Sequence, residues 1–184
     1  MRYSRDWLIH QIDAGATFKF LHFWGHKPQP GAEVGHWFFS QWFPSDFEVE
    51  GRHYRTAEHW MMAEKARIFG DEEAFEDVFI AESPGEAKKI GRRVRNFDPA
   101  VWSAACSEIV VQGNLHKFGQ NPTMGNYLLQ TGKQVLVEAS PRDRIWGIGM
   151  GKNNENANDP TQWRGKNLLG FALMETRDRM SAKN

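Results

Sequence analysis

Near the start of the chain, apolar and polar positions alternate with a period of two. Phe18, Phe20, His22 and Trp24 interleave with Lys19, Leu21 and Phe23. Apolar groups on both faces predict a strand at the centre of a sheet. Phe47 to Tyr54 alternates again around Glu50-Gly51, the signal of a tight hairpin. Between these runs, residues 25–36 hold Gly25, Pro28, Pro30, Gly31 and Gly35 and predict a loop that borders a pocket. The first 55 residues therefore read as β-rich.

From Thr56 the apolar period becomes helical. Thr56 is a candidate cap for a helix over Ala57–Phe69 that stops at Gly70. Asp71 caps a shorter helix over 72–82. Ser83-Pro84-Gly85-Glu86 is a capping box with proline in the first turn, opening a helix to about Arg95. Asp98-Pro99 starts a longer helix through Lys117, and Asn121-Pro122 another that ends before Gly132. Lys133–Ala139 reads as a strand, and Ile145–Met150 as a strand or a glycine-broken loop. Residues 152–163 are irregular, and an amphipathic helix runs from Asn167 to about Met180. Strands, then helices, then strands predict an α+β fold: one domain over 1–184, mainly helical with a small β-sheet.

Composition narrows the class. The 184 residues can bury a real core. Lys plus Arg equals Asp plus Glu at 23 each, so any anion must be held by a local site rather than by overall attraction. A lone cysteine, Cys106, excludes an intramolecular disulfide. Met1–Asp6 lacks the apolar run of a signal peptide, and no apolar stretch approaches 18 residues, which predicts a cytoplasmic protein with no membrane partner. Aromatic content is high, with 8 Trp and 13 Phe, either as core anchors or as platforms for a flat ligand.

Chemistry enters with particular groups. His22 and His26 lie on a strand leading into a turn, and His53 and His59 straddle a strand–helix boundary. With no HExxH and no cysteine pair, neither a metal site nor a cofactor is expected. There is no G-x-S-x-G, and Cys106 sits mid-helix beside Ala104 and Ala105 as a small buried group. Glu58 and Lys65, seven apart on one helix, project about 20° from each other around the axis with Met62 between them. They read either as an acid and an amine whose pKa values are tuned by partial burial, or as a helix-dipole carboxylate and a surface lysine. Lys88, Lys89, Arg92, Arg93 and Arg95 form a charge run, a solvated face or in part a phosphate grip. Asp143-Arg144-Ile145-Trp146-Gly147-Ile148-Gly149-Met150-Gly151 carries glycines that let a backbone approach a ligand.

Together these pieces resemble the NADAR family over about residues 18–178. Four blocks carry the likeness: Thr56-Ala57-Glu58-His59 with Lys65; Ala87-Lys88-Lys89-Ile90-Gly91-Arg92; Asp143 to Gly149; and Asp159-Pro160-Thr161-Gln162-Trp163-Arg164-Gly165-Lys166-Asn167-Leu168-Leu169-Gly170, continuing to Leu173-Met174-Glu175. The resemblance implies an N-glycosidase acting on ribosylated amines. The substrates it implies are early riboflavin-pathway intermediates, small molecules with ribose 5-phosphate on an exocyclic pyrimidine amine, or guanine in nucleic acid carrying ADP-ribose, hence a transient nucleic-acid partner. Two positions depart from relatives: Ile148 replaces the acid of some riboflavin-type members, and Gln41 stands where many have Asn.

On this resemblance Glu58, Lys65 and Asp143 are the catalytic candidates, with Asp143 orienting ribose hydroxyls or water. Trp146 and Trp102 are assigned to base stacking, with Trp102 equally a core residue. Arg92 and Lys166 are the phosphate candidates, Gly147 lines the ligand, Asn167 orders its loop, and Trp24 lines the pocket. Two other classes remain: a module that binds ADP-ribose or a nucleotide without cleaving it, and an interaction protein. The first could dispense with Lys65; the second predicts no saturable nucleotide binding.

Overall fold

The structure, a computed structural model, describes residues 1–182. In chain order its elements are α1 (Arg5–Asp13), β1 (Phe20–Phe23), β2 (Phe47–Val49), β3 (Arg52–Tyr54), α2 (Ala57–Ile68), α3 (Glu72–Ile80), α4 (Pro84–Gly91), α5 (Pro99–Gln120), α6 (Pro122–Gln130), β4 (Val135–Glu138) and α7 (Leu168–Ser181). Short 3-10 turns stand at His36–Phe39 and Pro160–Gln162. The fold is α+β, as the pattern predicts. The residues group into two compact units, Met1–Ser40 with Thr123 onward, and Gln41–Pro122.

In the first unit β1 and β4 pair in parallel, Phe20 opposite Val135 and Phe23 opposite Glu138. A central position for β1 is corrected here, because this sheet has two strands. Aromatic rings pack on both of its faces. Phe20 meets Trp163 edge-on at 6.4 Å, and Phe23 meets Phe39 at 5.4 Å. The reading of the first 55 residues as β-rich is also corrected by α1 and the turn at His36. Ser4 caps α1 by accepting the Trp7 N–H, and Asp6 lies in its first turn.

Asn167 ties β4 to the last helix. Its backbone is left-handed, φ 55°, and its side chain is fully buried. The amide oxygen accepts the Glu138 N–H at 2.9 Å, and the amide nitrogen donates to the Leu136 carbonyl at 2.9 Å. Gly170 follows for a steric reason. A Cβ there would lie 2.1 Å from the Leu136 carbonyl oxygen.

The second unit is organised around α2, which packs against α3, α4 and α5. Thr56 caps it by accepting the His59 N–H, and Gly70 closes it at φ 66°. The hairpin turns at Glu50 and Gly51, both with positive φ, which matches the two-residue turn preferred between twisted strands. Asp71 and Ser83 cap α3 and α4 as their sequences predict. Helix α4 stops at Gly91 rather than Arg95. The Arg95 N–H is taken by the Asp71 carboxylate at 2.8 Å, and its guanidinium reaches the same group at 2.6 Å. These bonds hold the Asp71 carboxyl down to about 2.

Replacing Asn167 with Ala strands two buried backbone groups, so unfolding in urea should show a loss of roughly 2–4 kcal/mol. The exposed neighbour Lys166→Ala should change stability by less than about 0.5 kcal/mol.

Candidate active site

The Thr56 cap sets α2 in place, and Glu58 in its first turn is 2% exposed. Its backbone N–H donates to the Gln41 carbonyl at 3.0 Å. His59 beside it is a satisfied core group. Its Nδ1 lies 2.7 Å from the Thr56 hydroxyl and its Nε2 3.2 Å from the Ala81 carbonyl. Two turns further, roughly 10 Å along the axis, Lys65 emerges where α4 ends. Its amine donates to the Gly91 carbonyl at 2.7 Å and lies 4.1 Å from the centre of the Phe97 ring and 5.5 Å from that of Trp102.

This arrangement follows from packing. A Cβ on Gly91 would come within 2.0 Å of the Met62 sulfur, so glycine lets α4 close on α2 and bring its last carbonyl to Lys65. Burial lowers the Lys65 amine below the ordinary lysine range. Neither member of the Glu58–Lys65 pair is therefore a plain surface residue. Trp102 is half-buried against Lys65, and Arg92, next to Gly91 in the chain, is exposed. Lys65, Trp102 and the Gly91–Arg92 turn are brought together, with Glu58 on the same helix.

The remaining candidates form a second group in the first unit. The Asp143 carboxylate accepts the Ile145 and Trp146 N–H groups, both at 2.8 Å and both on Oδ1, and so shapes the loop that presents Trp146. That loop pairs with the segment before α7. Arg164 N–H reaches the Ile148 carbonyl, Lys166 N–H reaches Arg144, Asn167 N–H reaches Gly147, and Leu169 N–H reaches Trp146, all at 3.0–3.1 Å.

The two backbones touch because both are glycine-bearing. A Cβ on Gly165 would sit 2.2 Å from the Gly147 carbonyl oxygen, and one on Gly147 would sit 2.8 Å from that of Glu138. Ile145–Met150 is accordingly a loop, the second of its two predicted forms. Lys166 is exposed, Trp146 half-buried, and Asn167 spends its side chain on β4. Trp24 is 64% exposed and lines a cavity of about 400 Å³ beside the 25–36 loop.

Sequence reasoning passed over Lys117. It lies on the buried stripe of α5 with Cys106, Val110 and Asn114, and it is fully enclosed. Burial lowers its amine to about 7. The signal was available: Asn114 and Lys117 fall on the same stripe as valines. Asn114 accepts the Gln41 amide at 3.0 Å, which connects α5 to the residue that holds the Glu58 N–H. Among the described residues no three His, Cys, Asp or Glu side chains gather as metal ligands, and no helix is long and apolar enough to cross a membrane.

The model of the NADAR domain matches residues 22–181. An N-glycosidase of Acanthamoeba polyphaga mimivirus is 42% identical over 168 residues, covering 88% of this chain and 96% of that protein. The N-glycosidase YbiA of Shigella boydii is 29% identical over 143 residues, covering 78% and 81%. The NMR structure of the Escherichia coli protein YbiA superposes with a TM-score of 0.71 at 25% identity, covering 91% of this chain and 88% of that one.

The Lys117 amine titrates at about 7 when folded and near 10.5 when unfolded. Between those values the unfolded chain binds more protons, so this group makes stability rise with pH through that window. Lys117→Met should flatten the rise and be more stable than wild type at pH 7, read from urea midpoints at pH 6 to 10. An unchanged slope would assign the rise to other groups.

Proposed function

The chain belongs to the NADAR family, and from that premise we propose that this N-glycosidase hydrolyses the bond between C1′ of a phosphorylated ribose and an exocyclic amine of a pyrimidine or purine. The reading rests above all on Lys65. A lysine that is half-buried, lowered in pKa by that burial and held near two rings is suited to act as a neutral nucleophile.

The chemistry proceeds without a cofactor. The amine lone pair forms C1′=N while the C1′–O4′ bond breaks and O4′ takes a proton, giving an open-chain imine. The neutral Lys65 amine adds to C1′. Collapse of that adduct expels the base amine, which takes a proton delivered by Glu58, and leaves a Schiff base on Lys65. Water adds to C1′, the lysine departs, and an open-chain ribose is released.

Asp143 orders the loop of Trp146, whose half-buried indole is a stacking surface for the base. Arg92 and Lys166, both exposed, carry the positive charge for phosphate. Trp102 flanks the lysine, and Gly147 lets the loop backbone pack closely enough to hold Trp146 in place.

Turnover of a 5-amino-6-ribosylamino-uracil phosphate and of an ADP-ribosylated guanine oligonucleotide, followed by mass spectrometry, tests this reading. Lys65→Ala should lose release of ribose phosphate or ADP-ribose, and Glu58→Gln should lower turnover by roughly 10²–10⁴-fold. Borohydride during turnover should leave a reduced sugar adduct on Lys65. No adduct, with Lys65→Ala still active, would replace this route with a ring-closed oxocarbenium path in which Asp143 or Glu58 activates water. Micromolar binding of ADP-ribose with no release from either substrate would leave a binding module.

A further inference from the structure

A cavity of about 500 Å³ lies at the amino ends of the two parallel strands, opposite the end from which the Asp143–Gly149 loop departs. Phe18 and Lys133, just ahead of β1 and β4, line it, as do Trp7 of α1 and Met174, Arg177 and Asp178 of α7. Positions 174, 177 and 178 have the three-and-four spacing of one helix face. The volume is in the range of pockets that enclose a small organic ligand. All of these residues belong to the first unit, and none serves the reaction proposed above.

Arg177 is the group that the protein leaves unfinished here. It is 4% exposed. Its Nη1 donates to the Thr131 hydroxyl at 2.8 Å and to the Gln134 carbonyl at 2.9 Å. Its Nε is buried with no acceptor in hydrogen-bond reach, because the Asp178 carboxylate stands 3.9 Å away. That carboxylate is engaged elsewhere, accepting from the Tyr3 hydroxyl and from the Arg2 guanidinium. A buried cation with an unmet donor calls for an acceptor. Desolvation accordingly pushes the guanidinium below its ordinary range, against the opposing pull of Asp178. Lys133 adds a second positive charge at an exposed position, and among the described residues it forms no ion pair.

Rings stand beside these cations. Trp7 meets Tyr3 edge-on at 4.7 Å and Phe18 at 5.9 Å, so its half-buried indole is fixed in the cavity wall. The edge of a guanidinium matches the two oxygens of a carboxylate, and aromatic walls match an aryl group. Asp178 limits the charge of the partner. Its negative charge beside Arg177 repels a dianion such as a phosphate monoester more than it repels a monoanion.

We propose that this cavity binds a small aromatic monocarboxylate, its carboxylate at Arg177 and Lys133 and its ring against Trp7 and Phe18. A carboxylate without a ring would leave the aromatic wall uncovered. A neutral aromatic molecule would leave both cations without a counter-charge. The site is independent of the N-glycosidase reading, since it uses none of the residues of that chemistry.

Titration of the intact 15N-labelled protein with indole-3-acetate, followed by NMR, tests the site. The Arg177 Nε–H and the Trp7 indole N–H should shift together along one saturable curve with a Kd below about 1 mM. Indole-3-acetamide, which lacks the charge, and acetate, which lacks the ring, should each bind at least about tenfold more weakly. Arg177 also braces Thr131 and Gln134, so its part is read from its own resonance and not by substitution. Lys133→Glu, at an exposed position, should weaken indole-3-acetate by about tenfold with an unchanged melting temperature, and Lys133→Arg should keep the affinity. No shift of either resonance at about 10 mM ligand, equal binding of the amide, or a curve that ignores Lys133→Glu would overturn the site. Tighter binding of phenyl phosphate than of indole-3-acetate would overturn the choice of a monocarboxylate.

Discussion

The second unit depends on enclosing a helix that is not wholly apolar. Nine of the twelve residues of α2 are buried, and Glu58, His59 and Glu64 are among them. A helix buried over most of its surface leaves its enclosed polar groups to be met by neighbouring side chains and carbonyls. His59 is met by Thr56 and Ala81, and Glu64 by Arg67. Neighbouring helices must also come close. Gly91 admits the Met62 sulfur, and Gly113 admits the Trp60 ring, where a Cβ would lie 2.3 Å away. That closeness lets Trp60 donate its indole N–H to the Ile109 carbonyl at 2.8 Å, and brings the Gly91 carbonyl to Lys65. The environment of the proposed nucleophile is thus a by-product of how α2 is buried.

The first unit reaches order by a different route. With two strands in its sheet, it fixes the Asp143–Gly149 loop through backbone contact with the segment leading into α7. Glycines 147 and 165 permit the approach, and Asn167 locks both to β4. A motif rich in Trp and Gly suggests a ligand platform at first reading. Much of it is spent on holding one irregular loop rigid, which a site that must orient a flat base also requires.

Legibility in the sequence followed the range of the interaction. Caps and turns act over a few residues, so Thr56, Asp71, Ser83, Asp98 and the Glu50-Gly51 turn were readable with near-correct boundaries. The end of α4 was not, because a carboxylate 24 residues away competes for the Arg95 N–H. Strand β1 was found, but aromatic cover on both faces imitates the pattern of a central strand. Helix α1 carries its own cap at Ser4 and was missed where alternation downstream set the reading of the whole segment. For the site, spacing set Glu58 and Lys65 two turns apart on one helix, which the structure also shows. The contacts of Lys65 with Phe97, Trp102 and Gly91 come from distant segments and needed the fold.

Two lysines of the second unit have lowered pKa values for the same reason, loss of hydration, but they differ in what that loss permits. Lys117 is fully enclosed, and its amine titrates at about 7 where no substrate atom arrives unless the core opens. Lys65 is also lowered by burial but keeps part of its surface, so its amine stays within reach of a ligand. A nucleophilic lysine needs both a neutral fraction and access, and further burial gains the first by losing the second. The carbonyl of Gly91 and the rings of Phe97 and Trp102 hold the amine at an intermediate depth. Depth, more than basicity, is what separates the proposed nucleophile from the fully enclosed lysine in this chain.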